Sequence, residues 1–259
     1  MPNIFLNFFK SSERYEEELA WIMEAVKERR DKCPKIIIYV NSITMCETLY
    51  IWFHSELKKD AYIDEMTIEN RMVEIYHAHT DEDTKLRIMS TLSSEDSTIR
   101  VLIATVACGM GVNIPDISIV VIWGLPPSLL QMWQEIGRCG RDRRSGITIC
   151  YSYARSVSMP CDKCRKERKY HCKCKDREYL KSAVTLEKEH CQRINCLKHF
   201  LLEGMGSSDI KMLENKKKCS DHCDTACECS FCKCCISCIQ NCKCPEPVSK
   251  KIVKRYWKE

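Results

Sequence analysis

Short β-branched runs alternate with amphipathic stretches over most of the first 155 residues, and that alternation leaves few folds open. "KIIIYV" (35–40), "MVEIYHA" (72–78), "RVLIAT" (100–105), "ISIVVIW" (117–123) and "GITICYSY" (146–153) read as strands. Continuous apolar runs of this kind belong to strands buried on both faces. Between them lie helical patterns. "SSERYEEELAWIMEAVKERR" (11–30) places Tyr15, Leu19, Ile22 and Val26 on one face. Ser11 or Ser12 can cap it, Glu13 and Glu16 suit its positive end, and Arg29 and Arg30 its negative end. Thr44 and Glu47 have capping-box spacing ahead of a stripe of Cys46, Leu49, Phe53 and Leu57. Thr80 and Asp83 look like another cap, before Leu86, Met89 and Leu92. "PSLLQMWQEI" (127–136) is a further helix. Strand–helix alternation predicts an α/β fold: a parallel sheet with helices on both faces. Such sheets bind ligands at the carboxyl ends of their strands, so the stretch after "RVLIAT" is expected to be an active edge.

Composition divides the chain. Of 21 cysteines, five (Cys33, Cys46, Cys108, Cys139, Cys150) precede residue 151 and sixteen fall between Cys161 and Cys244. Residues 1–159 carry 18 Lys/Arg against 22 Asp/Glu, a net −4; residues 160–259 carry 23 against 14, a net +9. Both changes put a boundary near residue 158. The predicted units are 1–157, a cysteine-rich region 158–245 and a basic tail 246–259. No apolar run approaches membrane-spanning length, so no membrane partner is expected. The start "MPNIFLNFFKSS" lacks the features of a secretory signal, so an intracellular, thiol-reducing location is expected. Dense cysteines in such a setting point to metal rather than disulfides.

Two stretches carry the chemistry. "ATVACGMGVN" (104–113) follows a strand and offers Thr105, Gly109, Gly111 and Asn113, with glycines that let a backbone approach a ligand. "QEIGRCGRD" (134–142) sets Arg138 and Arg141 three residues apart. Arginine is the side chain best suited to grip phosphate. Read in isolation, the pair could equally be surface partners of Glu135 or Asp142. Cys108 and Cys139 read as packing residues, and so do His77 and His79.

Together these segments, "IATVACGMGVNIPD…VIWGLPPSLLQMWQEIGRCGRD", resemble motifs V and VI of superfamily-two helicases. More closely, the chain is similar to the RecQ family of DNA helicases. "KIIIYVNSITMCETL", "YHAHTDEDTKLRIM" and the opening "MPNIFLNFF" resemble that family's second motor lobe. The resemblance implies a RecA-like second lobe that completes an ATP site against a first lobe and moves 3′ to 5′ on single-stranded or forked DNA in the nucleus. Arg141 is implied as the arginine finger, with Arg138 beside it and Gln134 bridging nucleotide state to lobe closure. Gly109, Gly111 and Asn113 would lie near ATP and its magnesium, and Thr105 and Ser42 near the DNA backbone. Asn113 departs from the family's usual aspartate, and Arg143 replaces the family's glycine after "GRD". No G-x-x-x-x-G-K-[ST] loop and no DEAD- or DEAH-like box occurs in these 259 residues. The parts that cradle phosphates and hold magnesium are therefore expected from a first lobe. Alone, the chain is expected to hydrolyse no ATP.

A helical zinc platform follows the second lobe in RecQ-like helicases. The resemblance implies Cys191, Cys219, Cys223 and Cys227 as ligands, with Cys196 or Cys229 as substitutes. Residue spacing by itself offers a second tetrathiolate, Cys161, Cys164, Cys172 and Cys174, from "PCDKC" and "HCKC". Lys163, Arg165 and Lys166, with Arg168 and Lys169, could contact nucleic-acid phosphates or simply form a solvated face. Tyr256 and Trp257 could stack on bases or belong to a frayed end. Two other classes stay open: a zinc-stabilised module that binds DNA or a partner without turnover, and a metal-buffering cysteine-rich protein.

Overall fold

The computed structural model describes residues 4–105, 114, 116–141, 146–170, 172–175, 177–178 and 180–181. Six strands form one sheet: β1 (Ile4–Lys10), β2 (Lys35–Val40), β3 (Val73–Tyr76), β4 (Val101–Ala104), β5 (Ile117–Trp123) and β6 (Gly146–Ser152). Their order is β1-β6-β5-β2-β4-β3 and every pairing is parallel. Parallel neighbours need crossover connections, and the sequence supplies them as helices. α1 (Tyr15–Glu18) and α2 (Ala20–Arg29) precede β2, α3 (Ile43–Leu57) leads to β3, and α4 (Glu82–Ser93) joins β3 to β4. α5 (Leu129–Ile136) joins β5 to β6, and α6 (Ala154–Ser158) and α7 (Asp162–Lys166) follow the sheet.

The sheet separates two apolar layers. On one face Ile36, Ile38, Ile103, Val121 and Ile149 pack against Ile22 and Val26 of α2 and Leu49 and Phe53 of α3. On the other, Ile37, Leu102, Val120 and Ile122 meet Ile88 and Leu92 of α4 and Leu129, Met132 and Ile136 of α5. Alternate residues of each central strand thus feed different layers, which is why these strands are apolar throughout.

Several local expectations are corrected. The sequence pattern assigns no element to residues 4–10, yet β1 pairs with β6 from Ile4↔Gly146 to Lys10↔Ser152. The single helix expected over 11–30 is two, parted at Leu19 (φ −102°, ψ 0°), whose side chain is buried. Neither Ser11 nor Ser12 caps it; Arg14 occupies that position, and Ser11 Oγ accepts from the Glu13 N–H instead. α3 is capped by Ser42, not Thr44, through the Met45 N–H at 3.1 Å. α4 is capped by Asp81, not Thr80, through the Thr84 N–H at 2.8 Å. Thr80 Oγ1 instead accepts from the His77 N–H. On α4 the buried residues are Ile88 and Leu92, four apart on one face with Met89 partly buried beside them, while Leu86, two positions before Ile88, falls on the exposed side.

Candidate functional site

An all-parallel sheet has one edge of carboxyl ends and one of amino ends, and the candidate residues divide between them. Ser42 follows β2 and Thr105 follows β4, and these strands are neighbours, with Tyr39 opposite Ala104. Both residues therefore stand at the carboxyl edge. Ser42 is exposed at the start of α3, where its hydroxyl and the helix's open N–H groups face outward. Thr105 is half-buried, its N–H donating to the Tyr76 carbonyl at 3.2 Å. Gly109, Gly111 and Asn113 lie outside the described residues.

The arginines lie at the opposite edge. α5 starts beyond the carboxyl end of β5, where Ser128 Oγ accepts from the Gln131 N–H at 3.1 Å. As a crossover helix it runs back to the amino end of β6. At that end the Gly140 N–H donates to the carbonyl of Ile117, the first residue of β5, at 2.9 Å. Topology alone sends residues 138–141 to the amino edge, away from Ser42 and Thr105. The loop there is tightly built. Gly140 has φ +62°, a left-handed conformation that a side chain would strain. Cys139 is buried, with its thiol on the carbonyls of Ser118 and Ile147 at 3.2 and 3.5 Å, so it packs as expected. A Cβ on Gly146 would collide with that sulfur.

These constraints hold the two guanidinium-bearing residues a turn apart. Arg141 Nε donates to the Gly137 carbonyl at 3.1 Å, folding its exposed side chain back along the helix end. Partial burial lowers the Arg141 pKa, and repulsion from Arg138 lowers it further against a small opposing effect of Tyr39. Gln134 is exposed on the outer side of α5. The amino edge is pinned by Lys35, whose buried ammonium reaches the carbonyls of Leu92 and Ser94 at 2.8 Å and Asp116 at 2.8 Å.

The sequence offers Glu135 as a surface partner for the arginines, but the fold places it inside. It is 4% exposed, one carboxylate oxygen accepts from Gln131 Nε2 at 2.9 Å, and the other has no hydrogen-bond partner. Burial raises its pKa to about 7, opposed by the Gln131 hydrogen bond. The stripe Leu129, Met132, Ile136 places Glu135 beside Met132 on the inward face, a signal the motif reading passed over.

Past the sheet, Cys161, Cys164, Cys172 and Cys174 converge, with all four sulfurs within 4.8 Å of one another. This is the second, spacing-based set. Cys191, Cys219, Cys223 and Cys227, the set implied by resemblance, lie outside the described residues. Lys163, Arg165 and Lys166 are exposed on α7. Arg165 is paired with Asp162 at 2.6 Å, and nearby Lys169 with Glu167 at 2.8 Å. Sequence reading gave Arg177 no role. It is fully buried and donates to the carbonyls of Met159 (2.9 Å), Leu125 (3.4 Å), Pro126, Ser156 and Val157 (3.5 Å).

Comparison with known proteins agrees with this architecture. Residues 17–143 match the helicase conserved C-terminal domain. A putative ATP-dependent RNA helicase, R290, of Acanthamoeba polyphaga mimivirus is 25% identical over 87% of this chain and 36% of its own length. ATP-dependent helicase SGS1 of Saccharomyces cerevisiae is 25% identical over 84% of this chain and 14% of its own. RecQ-like DNA helicase blm-1 of Caenorhabditis elegans is 32% identical over 48% of this chain and 11% of its own. The chain thus spans 36% or less of the length of these relatives.

Proposed function

From the premise that residues 17–143 are the conserved C-terminal domain of a superfamily-two ATP-dependent helicase, with RecQ-like homologues, we propose that this chain is the second motor lobe of a RecQ-like DNA helicase moving 3′ to 5′. The observation that carries the reading is the paired guanidinium residues at the end of α5, held a turn apart by the Gly140 turn and the buried Cys139. A first lobe supplies the phosphate-cradling loop and magnesium, since no such loop occurs in these 259 residues. On closure Arg141 reaches the γ-phosphate and spreads the charge that grows there, with Arg138 gripping the same phosphates. Gln134, exposed one turn earlier, senses the occupant. Nucleic acid runs along the other edge, past Ser42 and Thr105, so that lobe closure over ATP shifts one edge while the other holds the strand.

This division suits a motor: the same rigid sheet transmits force between its two edges. Mixing the purified chain with a separately expressed RecQ-type first lobe tests it. Strand-stimulated ATPase is expected only in the mixture, and Arg141→Ala is expected to reduce it about 10³-fold or more. ATP turnover by the chain alone, or full activity in Arg141→Ala, would contradict the proposal. Running DNA and RNA in parallel decides the substrate, because the relatives include one named for each.

A further inference from the structure

We propose that Cys161, Cys164, Cys172 and Cys174 bind one structural zinc ion, and that this anionic centre and the buried Arg177 together clip residues 159–181 onto the loop that starts α5. The site is separate from the one resemblance implies at Cys191, Cys219, Cys223 and Cys227, and it rests on geometry rather than on the helicase reading.

The sulfur spacing comes first. Cys174 Sγ lies 3.7 Å from Cys161 Sγ and 3.5 Å from Cys164 Sγ. Disulfide sulfurs sit at about 2.05 Å, so these are separate thiols. A tetrahedron with Zn–S bonds of about 2.3 Å has edges of about 3.8 Å. The backbone builds that figure without strain in either half. Cys161 caps α7 and Cys164 is its third residue, so C-x-x-C brings both sulfurs to one side of a single turn. Cys174 opens the next turn, its carbonyl accepting from the N–H groups of Arg177 and Glu178 at 2.9 and 3.0 Å. Four thiolates make a closed, soft site, the structural zinc class.

Charge gives the second argument. A guanidinium cannot shed its proton, so Arg177 must be compensated where it lies. Among the described residues, every acceptor it reaches is a neutral carbonyl. The four-thiol cluster lies in the same short segment, with Cys174 three residues before Arg177. A zinc tetrathiolate carries a formal charge of −2 and supplies what the carbonyls lack. The segment has little else: among its described residues, Cys164, Cys172, Arg177 and Leu180 are buried. Because Arg177 also grips Leu125 and Pro126, the clip bears on the loop that leads into α5 and its arginines.

The full-length chain, purified under reducing conditions, provides the test. Each chain should lose one zinc equivalent when Cys161→Ser and Cys172→Ser are combined. In the unaltered chain, N-ethylmaleimide should label Cys161 and Cys174 roughly tenfold more slowly before chelation than after, read by peptide mass spectrometry. That second measurement decides the matter even if the double variant fails to fold. Arg177→Met should keep the zinc yet speed tryptic cleavage after Lys163 and Lys166. Equal labelling with and without chelator would overturn the metal site. Unchanged cleavage in Arg177→Met, with zinc retained, would overturn the clip.

Discussion

The sheet lobe and the cysteine strap behind it hold themselves together by opposite means. In the lobe, two apolar layers share the work among dozens of side chains, and no single polar contact is decisive. In the strap, residues 159–181, the convergent groups are four thiols and one guanidinium, and among its described residues Leu180 joins the lobe's apolar core. Distributed burial tolerates insult in proportion to the volume removed. Concentrated polar order fails all at once when one member goes. Two of the buried charged side chains sharpen the contrast. Glu135 in the lobe can take a proton and become neutral, whereas Arg177 in the strap cannot.

The largest expected effect tests the lobe. Phe53 is 0% exposed among Leu49, Leu57 and the sheet. Phe53→Ala should lower unfolding free energy by about 3–5 kcal/mol in urea titration. Zinc chelation, by contrast, should leave the lobe's urea midpoint nearly unchanged while exposing the strap to protease. If chelation destabilised the lobe as much as Phe53→Ala, the two regions would be one cooperative unit and the comparison would fail.

Next comes the buried acid. With the folded Glu135 pKa near 7 and an ordinary carboxyl value near 4.5, the folded state binds the extra proton. Below pH 4.5 both states are protonated and there is no penalty. Between 4.5 and 7 the unfolded chain ionises first, so stability falls as pH rises, levelling off above 7. Glu135→Gln should remove that slope and stabilise the lobe by roughly 2–3 kcal/mol at pH 8. The check is a pair of melting series, at pH 5 and pH 8; parallel series for the parent and the variant would mean the carboxyl is not held neutral.

How much was legible follows the same divide. β5 was read residue for residue, because an unbroken β-branched run fits only a strand buried on both faces. The helix stripes through Leu49, Phe53 and Leu57 were read for the same reason. Caps were misplaced because Ser42 and Thr44, or Thr80 and Asp81, are chemically able neighbours, and only the backbone path chooses between them. β1 escaped because its pairing with β6 lies about 140 residues away in sequence. The arginine pair was legible as a motif, but not its edge, which follows from strand order. Arg177 had no signal at all: its acceptors lie 18 to 52 residues upstream and are backbone carbonyls, which every residue has.

The smallest expected effect separates two roles at one residue. Ser42 caps α3 and also stands at the carboxyl edge proposed for nucleic acid. Ser42→Ala removes the cap acceptor and should cost about 1 kcal/mol of stability. Ser42→Asp keeps the cap and suits the positive helix end, so stability should hold. Its added negative charge, however, would repel a phosphate at that edge. Binding to single-stranded DNA, measured by fluorescence anisotropy at fixed low salt, should weaken several-fold in Ser42→Asp, by more than in Ser42→Ala. If both variants bind like the parent while only Ser42→Ala is less stable, Ser42 is a helix cap alone. The nucleic-acid path would then have to be drawn away from the start of α3.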